Sequence, residues 1–245
     1  MTAEVRSALE SAGSLGPFFA LADARGTGWV SWSDLLVHPV TLHHRVHEVR
    51  TLLASGPGSP DVPVRVAASI VQLGLVARLL SPVLGAVLVA GVVPVVAAPS
   101  VHLRPLGSNP LPMAFGNPSA VPAGGTTEAA RALDHEWLVP VVGPLSGAVS
   151  RRYGVSPRVL EGNVASAVAG ALRTAAAARP DLAGPAEALL DALLAAGARA
   201  GRGRRRTDGT FVRRSCCLMY RLPGAGICGD CVLADGPRGD GRFTV

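Results

Sequence analysis

The sequence predicts a mainly α protein: a helical domain with a small β-hairpin, followed by a short C-terminal cysteine-rich module. Three observations predict it. Apolar residues recur at helical spacing through most of the first 200 positions. One Gly-Ser-Asn-Pro turn separates two short extended-looking runs. All four cysteines, Cys216, Cys217, Cys228 and Cys231, fall in one stretch near the C-terminus. A chain of 245 residues can bury one large core, or one core plus a small appended module. The division is expected as a helical domain over 1–200 and a basic linker with the cysteine module over 201–245. Hydrophobic content of 49% against 16% charged residues excludes general disorder.

In chain order, residues 3–23 read as an amphipathic helix pair interrupted around positions 13–17, with Val5, Leu9, Phe18, Phe19 and Leu21 as apolar positions. Trp29 and Trp32 follow in a turn-like segment, as core or edge anchors rather than a binding platform. Pro39 suits the first turn of a helix that runs to Ala54. On that helix His43 and His47 share a face, but Arg45, Glu48 and Arg50 beside them favour a polar surface over a metal grip. Residues 55–63, SGPGSPDVP, predict an exposed linker. Two helices, 65–80 and 82–93, are apolar nearly all round and are expected at the hub of the core.

Beyond Pro94, residues 101–106 and 111–115 are expected as a hairpin across 107–110. Thr126 or Thr127 caps a helix from 128 to about 139, whose continuation Pro140 and Pro144 disturb, with a further helical turn reaching Tyr153. Ser156-Pro157 starts a helix ending near 178, before Pro180, with Gly162-Asn163 as an interruption. Pro185 opens the last helix, 186–200, with Leu189, Leu190, Leu193 and Leu194 as its buried stripe and Gly201 and Gly203 after its end.

Charge is unevenly placed. The chain has no lysine, so its basic complement is 23 arginines. Residues 1–198 are formally neutral, while residues 199–245 hold ten Arg against four Asp and so carry the whole net charge of +6. An arginine run such as 202–206 binds phosphates readily. With only three Trp, two Tyr and five Phe, and no groove-reading motif, nucleic acid is not the expected partner. The opening MTAEVRSALESAG has no apolar core of a secretory signal. The longest apolar run, 82–99, is broken by Pro94, which favours a buried helix over a membrane span. With clustered cysteines, this places the protein in the reducing cytosol, at most peripheral at the inner face of the cell membrane.

The cysteines follow the pattern C-C-x10-C-x2-C, and the loop between the pairs contains Pro223, Gly224 and Gly226. Such a loop can fold back and bring four sulfurs onto one centre. Four thiolates suit tetrahedral zinc or an iron–sulfur cluster. Neighbouring side chains diverge in any regular element, so Cys216 and Cys217 share a centre only where the backbone turns sharply. A two-iron cluster spreads its ligands wider than one zinc, and only Cys228-Gly229-Asp230-Cys231 looks like a zinc knuckle. The spacing therefore favours a cluster. Zinc, a redox dithiol, structural disulfides and unligated reactive thiols stay open.

SCCLMYR followed by GICGDCVL resembles the C-terminal signature of the FhuF-like ferric-siderophore reductases. Gly162-Asn163-Val164-Ala165-Ser166 resembles a second segment of that family, in which an aromatic often precedes the glycine where this chain has Glu161. The resemblance implies a [2Fe-2S] cluster held by Cys216, Cys217, Cys228 and Cys231. It also implies a helical domain that offers a ferric siderophore a cleft beside it. The implied activity is that of an oxidoreductase acting on metal ions, by one-electron reduction of Fe(III) to release Fe(II) in the cytosol. An external donor of the reduced ferredoxin, flavodoxin or flavin reductase class would supply the electron.

Such a cluster is formally about −2 when oxidised and about −3 when reduced, so Arg213, Arg214 and Arg221 nearby would favour the reduced form. Arg204, Arg205, Arg213, Arg214 and Arg221 are candidate substrate contacts by charge and proximity in sequence. No nucleophile, paired-carboxylate or Gly-rich phosphate motif is present, and no Rossmann fingerprint, so neither NAD nor flavin is expected. Two rivals remain: a zinc-stabilised binding module, and an iron–sulfur redox-sensing regulator acting through the Arg-rich segment.

Overall fold

The computed structural model describes residues 3–55, 61–105, 107, 109–195, 201–222 and 226–235. Its helices are α1 (Ala3–Gly13), α2 (Trp32–Val37), α3 (Pro39–Ala54), α4 (Val64–Ala90), α5 (Thr126–Leu133), α6 (Gly143–Tyr153), α7 (Pro157–Ala178) and α8 (Ala183–Ala195). Short strands fill the gaps: β1 (Val30–Ser31), β2 (Val92–Val95), β3 (Val101–Leu103), β4 (Met113–Phe115), β5 (Ser119–Pro122), β6 (Gly203–Arg205) and β7 (Phe211–Arg213). The mainly α expectation holds.

The hub is α4, and its largest helix interface is with α7. The two helices expected over 65–80 and 82–93 are one, running straight through Pro82. Eighteen of its residues, from Val66 to Val87, are buried. Burial on this scale outweighs the roughly 3 kcal/mol that an interior proline costs an isolated helix. The helix has the length and mean hydropathy, 2.1, of a membrane span, but 67% of that stretch is buried against the rest of the protein. It ends at Gly91 with φ 64°, earlier than Val93, and the chain turns into β2, which pairs antiparallel with β5.

Arg78 is the one charge inside α4 among its buried residues, and its guanidinium donates to the carbonyls of Leu111, Phe18 and Ala20 at 2.6, 2.7 and 2.6 Å. Burial lowers its pKa to about 10, which still leaves it charged at neutral pH. It thereby fixes the segment after α1, which is a set of turns rather than the expected second helix. Phe19 from that segment and Ala12 from α1 press on Gly85, where a Cβ would stand 2.9 Å from each.

Trp32 opens α2 and is fully buried, its indole donating to the carbonyl of Val141 at 3.0 Å. Trp29 is half-buried with the Arg104 guanidinium 5.0 Å from its ring. Helix α3 has the expected bounds, and its His43 and His47 are exposed with stacked rings. The hairpin expected near residue 107 is β3–β4, extended by β1 into a three-stranded sheet. From 126 to 153 the backbone is helical throughout, because residues 134–142 widen into a π-helical stretch around Pro140. The wider turn accommodates a residue that has no N–H to donate. The cap of α5 is Gly125, whose N–H donates to Glu128 at 3.3 Å, rather than Thr126 or Thr127.

Helix α7 is likewise unbroken through Gly162-Asn163. Helix α8 begins at Ala183, and the end expected near 200 lies outside the described residues, as do 56–60 of the linker and 223–225 of the cysteine loop. The basic stretch expected as a linker contains β6, which pairs with β7 in the register Gly203↔Arg213. Arg205 clamps this hairpin to α8 through Asp191, at 2.8 and 2.6 Å, and Glu187, at 2.9 Å.

Candidate metal centre

Strand β7 delivers the chain to Cys216 and Cys217, and the sharp turn that the adjacent pair requires is made at Leu218. Its φ of 73° is left-handed, a conformation that costs a non-glycine residue about 1 kcal/mol or more. The turn aims the Leu218 N–H at Cys216 Sγ, 3.3 Å away. The second pair closes a turn of its own, with Cys231 N donating to the carbonyl of Cys228 at 3.0 Å. All four thiols are free, Cys217 and Cys231 buried and Cys216 and Cys228 half-buried.

Cys217 Sγ lies 3.6 Å from Cys228 Sγ and is also hydrogen-bonded to Cys216. Two thiolates on one tetrahedral metal with metal–sulfur bonds of about 2.3 Å stand roughly 3.7 Å apart. The bridging pair is thus already at ligand separation. Among the described residues no three His, Cys, Asp or Glu side chains close around the position of a single ion. Cys217 stands between Cys216 and Cys228, in contact with both. Each has an N–H donor: Leu218 N for Cys216, Met219 N for Cys217, Arg213 Nη2 at 3.2 Å for Cys228, and Leu233 N at 3.4 Å for Cys231. Donors to sulfur stabilise added negative charge, and the four residues fit a [2Fe-2S] group in their number of thiols and in the donor that each one has.

Among the sulfurs, Cys217 is the one whose neighbours favour the ionised form. Its pKa is held down to about 2 by the hydrogen bond from Cys216, then by that from Cys228, with Arg213 adding to both. Cys216 and Cys228 are pushed up, each first by its bond to Cys217 and then by burial.

The centre is bolted to the helical body by a buried polar network. Arg213, 1% exposed, donates to Asn163 Oδ1 at 2.9 Å and to Asp230 Oδ1 at 2.9 Å, besides Cys228. Burial works to lower its pKa, and the Asp230 carboxylate with the sulfurs of Cys217 and Cys228 outweighs that and raises it. Asn163 Nδ2 donates to Ser69 O, Ser69 Oγ and Gln72 Oε1 at 3.1, 3.0 and 3.1 Å. Ser69 Oγ in turn donates to the carbonyl of Cys217 at 2.9 Å. Ser166 Oγ donates to Asp230 Oδ2. Gly162 lets α7 approach so closely that a Cβ there would stand 1.9 Å from Ser215 Oγ.

Of the five arginines expected at substrate, Arg213 points inward to sulfur and Arg205 is committed to α8; the first cannot face a docked molecule. Arg204, Arg214 and Arg221 are exposed, Arg221 over the Tyr220 ring at 5.8 Å. The position that lacks the aromatic, Glu161, forms an ion pair with Arg202 at 2.5 Å. Ser69 and Gln72 are site residues that sequence reasoning missed, while Ser166 and Asp230 stood in its two motifs without a role. The signal for the first two was two polar side chains three apart in a mostly apolar helix. A cavity of about 320 Å³ opens beside the centre, with Ser166, Asp230, Gly229, Arg173, Phe18 and Phe211 among its lining.

Residues 213–233 match the FhuF 2Fe-2S C-terminal domain. The match holds all four cysteines and Arg213 and Asp230, so the C-terminal segment is similar to that domain, and the cofactor it supports is a [2Fe-2S] cluster. No curated protein matches the chain.

Proposed function

We propose that the chain is a ferric-siderophore reductase of the cytosol, with Cys216, Cys217, Cys228 and Cys231 as the iron ligands. The observation that carries this reading is the set of four free, N–H-supplied sulfurs, two of them at ligand separation, inside a segment that matches a [2Fe-2S] domain. Bound there, the cluster supplies a one-electron carrier. Arg213 sets a fixed positive charge against Cys228, Asn163 and Asp230 hold that guanidinium in place, and α4 and α7 exclude water from Cys217.

The substrate is Fe(III) in a cage of hard oxygen donors. On gaining one electron from the reduced protein it becomes Fe(II), which those donors hold far less well, so the metal leaves and the chelator takes protons from solvent. The protein is thereby oxidised by one electron, and an external donor of the ferredoxin, flavodoxin or flavin reductase class restores it. No covalent bond of the chelator breaks, and no nucleophile is required.

The test is anaerobic reconstitution of the full chain. The expected result is two irons and two sulfides per chain and a rhombic paramagnetic resonance signal on reduction. Fe(II), trapped by a ferrous-specific chelator, should then appear when a ferric siderophore is added. A colourless protein with one zinc per chain would end the proposal.

A further inference from the structure

The cavity beside the centre has no part in holding the cysteines, yet its floor is tied to them. Asp230 and Ser166 line it, and Asp230 is hydrogen-bonded to Arg213, which reaches Cys228 Sγ at 3.2 Å. The Asp230 carboxylate is matched there by the Arg213 guanidinium and the Ser166 hydroxyl, so it presents no uncompensated negative charge. The walls are apolar, from Phe18, Leu73, Ala77 and Phe211. At the rim stands Arg173, exposed and without an ion-pair or hydrogen-bond partner among the described residues. It also lines an adjoining cavity of about 270 Å³ that shares Ala169 and Phe211 with the first, and whose carboxylates are matched, Glu187 by Arg205 and Asp208 by Thr210. A recess of this size takes one edge of a ligand. With one unmatched cation over apolar walls, it is complementary to an oxygen-rich anion.

Building on the reductase reading, we infer that this cavity is the docking site for a net-anionic ferric chelate, with Arg173 donating to its iron-bound oxygens. The chelate then lies against Asp230, one side chain from the Arg213–Cys228 contact. The arginines near the cysteines in sequence are not needed for this role. Arg173 is far from them in the chain and comes beside them only because α7 packs against β7.

Gly170 makes the test clean. It lines the cavity, and a Cβ placed on it meets nothing within 4 Å. Gly170→Leu therefore fills the recess while favouring the helix. Binding of the gallium(III) tris-catecholate complex, which is anionic and not reduced by the protein, is measured by calorimetry on reconstituted wild type, Gly170→Leu and Arg173→Ala. The neutral gallium(III) tris-hydroxamate complex is run beside it.

Gly170→Leu is expected to weaken the anionic complex about tenfold or more, and Arg173→Ala roughly tenfold, the scale of one charge-assisted contact. The neutral complex should change less than about twofold on Arg173→Ala, with visible absorption and resonance spectra of all three proteins alike. Wild-type affinity in Gly170→Leu, or an equal loss for both complexes on Arg173→Ala, would overturn the site. Ferric reduction by wild type that Gly170→Leu leaves untouched would overturn the site and spare the reductase reading. Gallium complexes bound as expected by a protein that reduces no ferric chelate would do the reverse.

Discussion

Arg213 Nη2 stands 3.2 Å from Cys228 Sγ, and the same nitrogen is 2.9 Å from Asp230 Oδ1. A buried guanidinium is shared between a sulfur and a carboxylate. An arginine is seldom fully buried without a partner, and here Asn163 and Asp230 supply the pairing that lets the charge remain beside the thiols.

That contact predicts a potential. Arg213→Gln removes a full charge and a charge-assisted donor at Cys228. If the contact favours the reduced form by about 1.4 kcal/mol, the midpoint falls by about 60 mV. Arg221→Gln removes a charge that is exposed and screened, and should move the midpoint by well under half as much. Redox titration followed by paramagnetic resonance compares them. Equal shifts would mean that overall tail charge sets the potential, not the buried contact.

Two glycines on α7 predict opposite signs for the same substitution. Gly162→Ala drives a methyl against Ser215 Oγ, and the cost of overpacking, about 1–3 kcal/mol, exceeds the roughly 1 kcal/mol gained in helix propensity. The cysteine segment should loosen, with a lower melting temperature and faster cluster loss. Gly170→Ala meets open space and should stabilise by about 0.5–1 kcal/mol. Thermal unfolding of the two reconstituted variants reads the contrast.

Much of this was legible in the sequence, and the failures share a cause. The bounds of α3, the hairpin near residue 107 and the turn demanded by adjacent cysteines all follow from local chemistry, which sequence displays. Local propensity predicts breaks at Pro82, Pro140 and Gly162-Asn163, yet each sits in a helix that tertiary burial keeps whole. The same limit governs the arginines. Arg213 and Arg221 flank the cysteines alike in sequence, and only the packing of β7 against α7 turns one inward. Arg173 could not be found by proximity in the chain at all.

Asn163 is the joint of the site and should behave as one. Asn163→Ala leaves Arg213 Nη1 without its acceptor and Ser69 and Gln72 without their donor, all in the interior. Orphaned buried polar groups cost about 1–3 kcal/mol each, so a loss on the order of 3 kcal/mol is expected. Urea unfolding of the metal-free protein measures it apart from any effect of iron. A loss below about 1 kcal/mol would mean that water replaces the amide, and that the network does not bind the module to α4.

Arg205 tests whether a basic residue near the cysteines serves the fold. Its guanidinium meets Asp191 through two nitrogens and Glu187 through a third, with the Arg205 side chain 25% exposed. Bidentate geometry on a half-covered surface supports a contribution of about 1 kcal/mol, more than a single solvent-facing pair. Arg205→Ala should therefore lower stability by about that much in low salt, and the difference from wild type should shrink as ionic strength rises. A deficit that is indifferent to salt would place the loss in the packing of the arginine stem over α8 rather than in its charge.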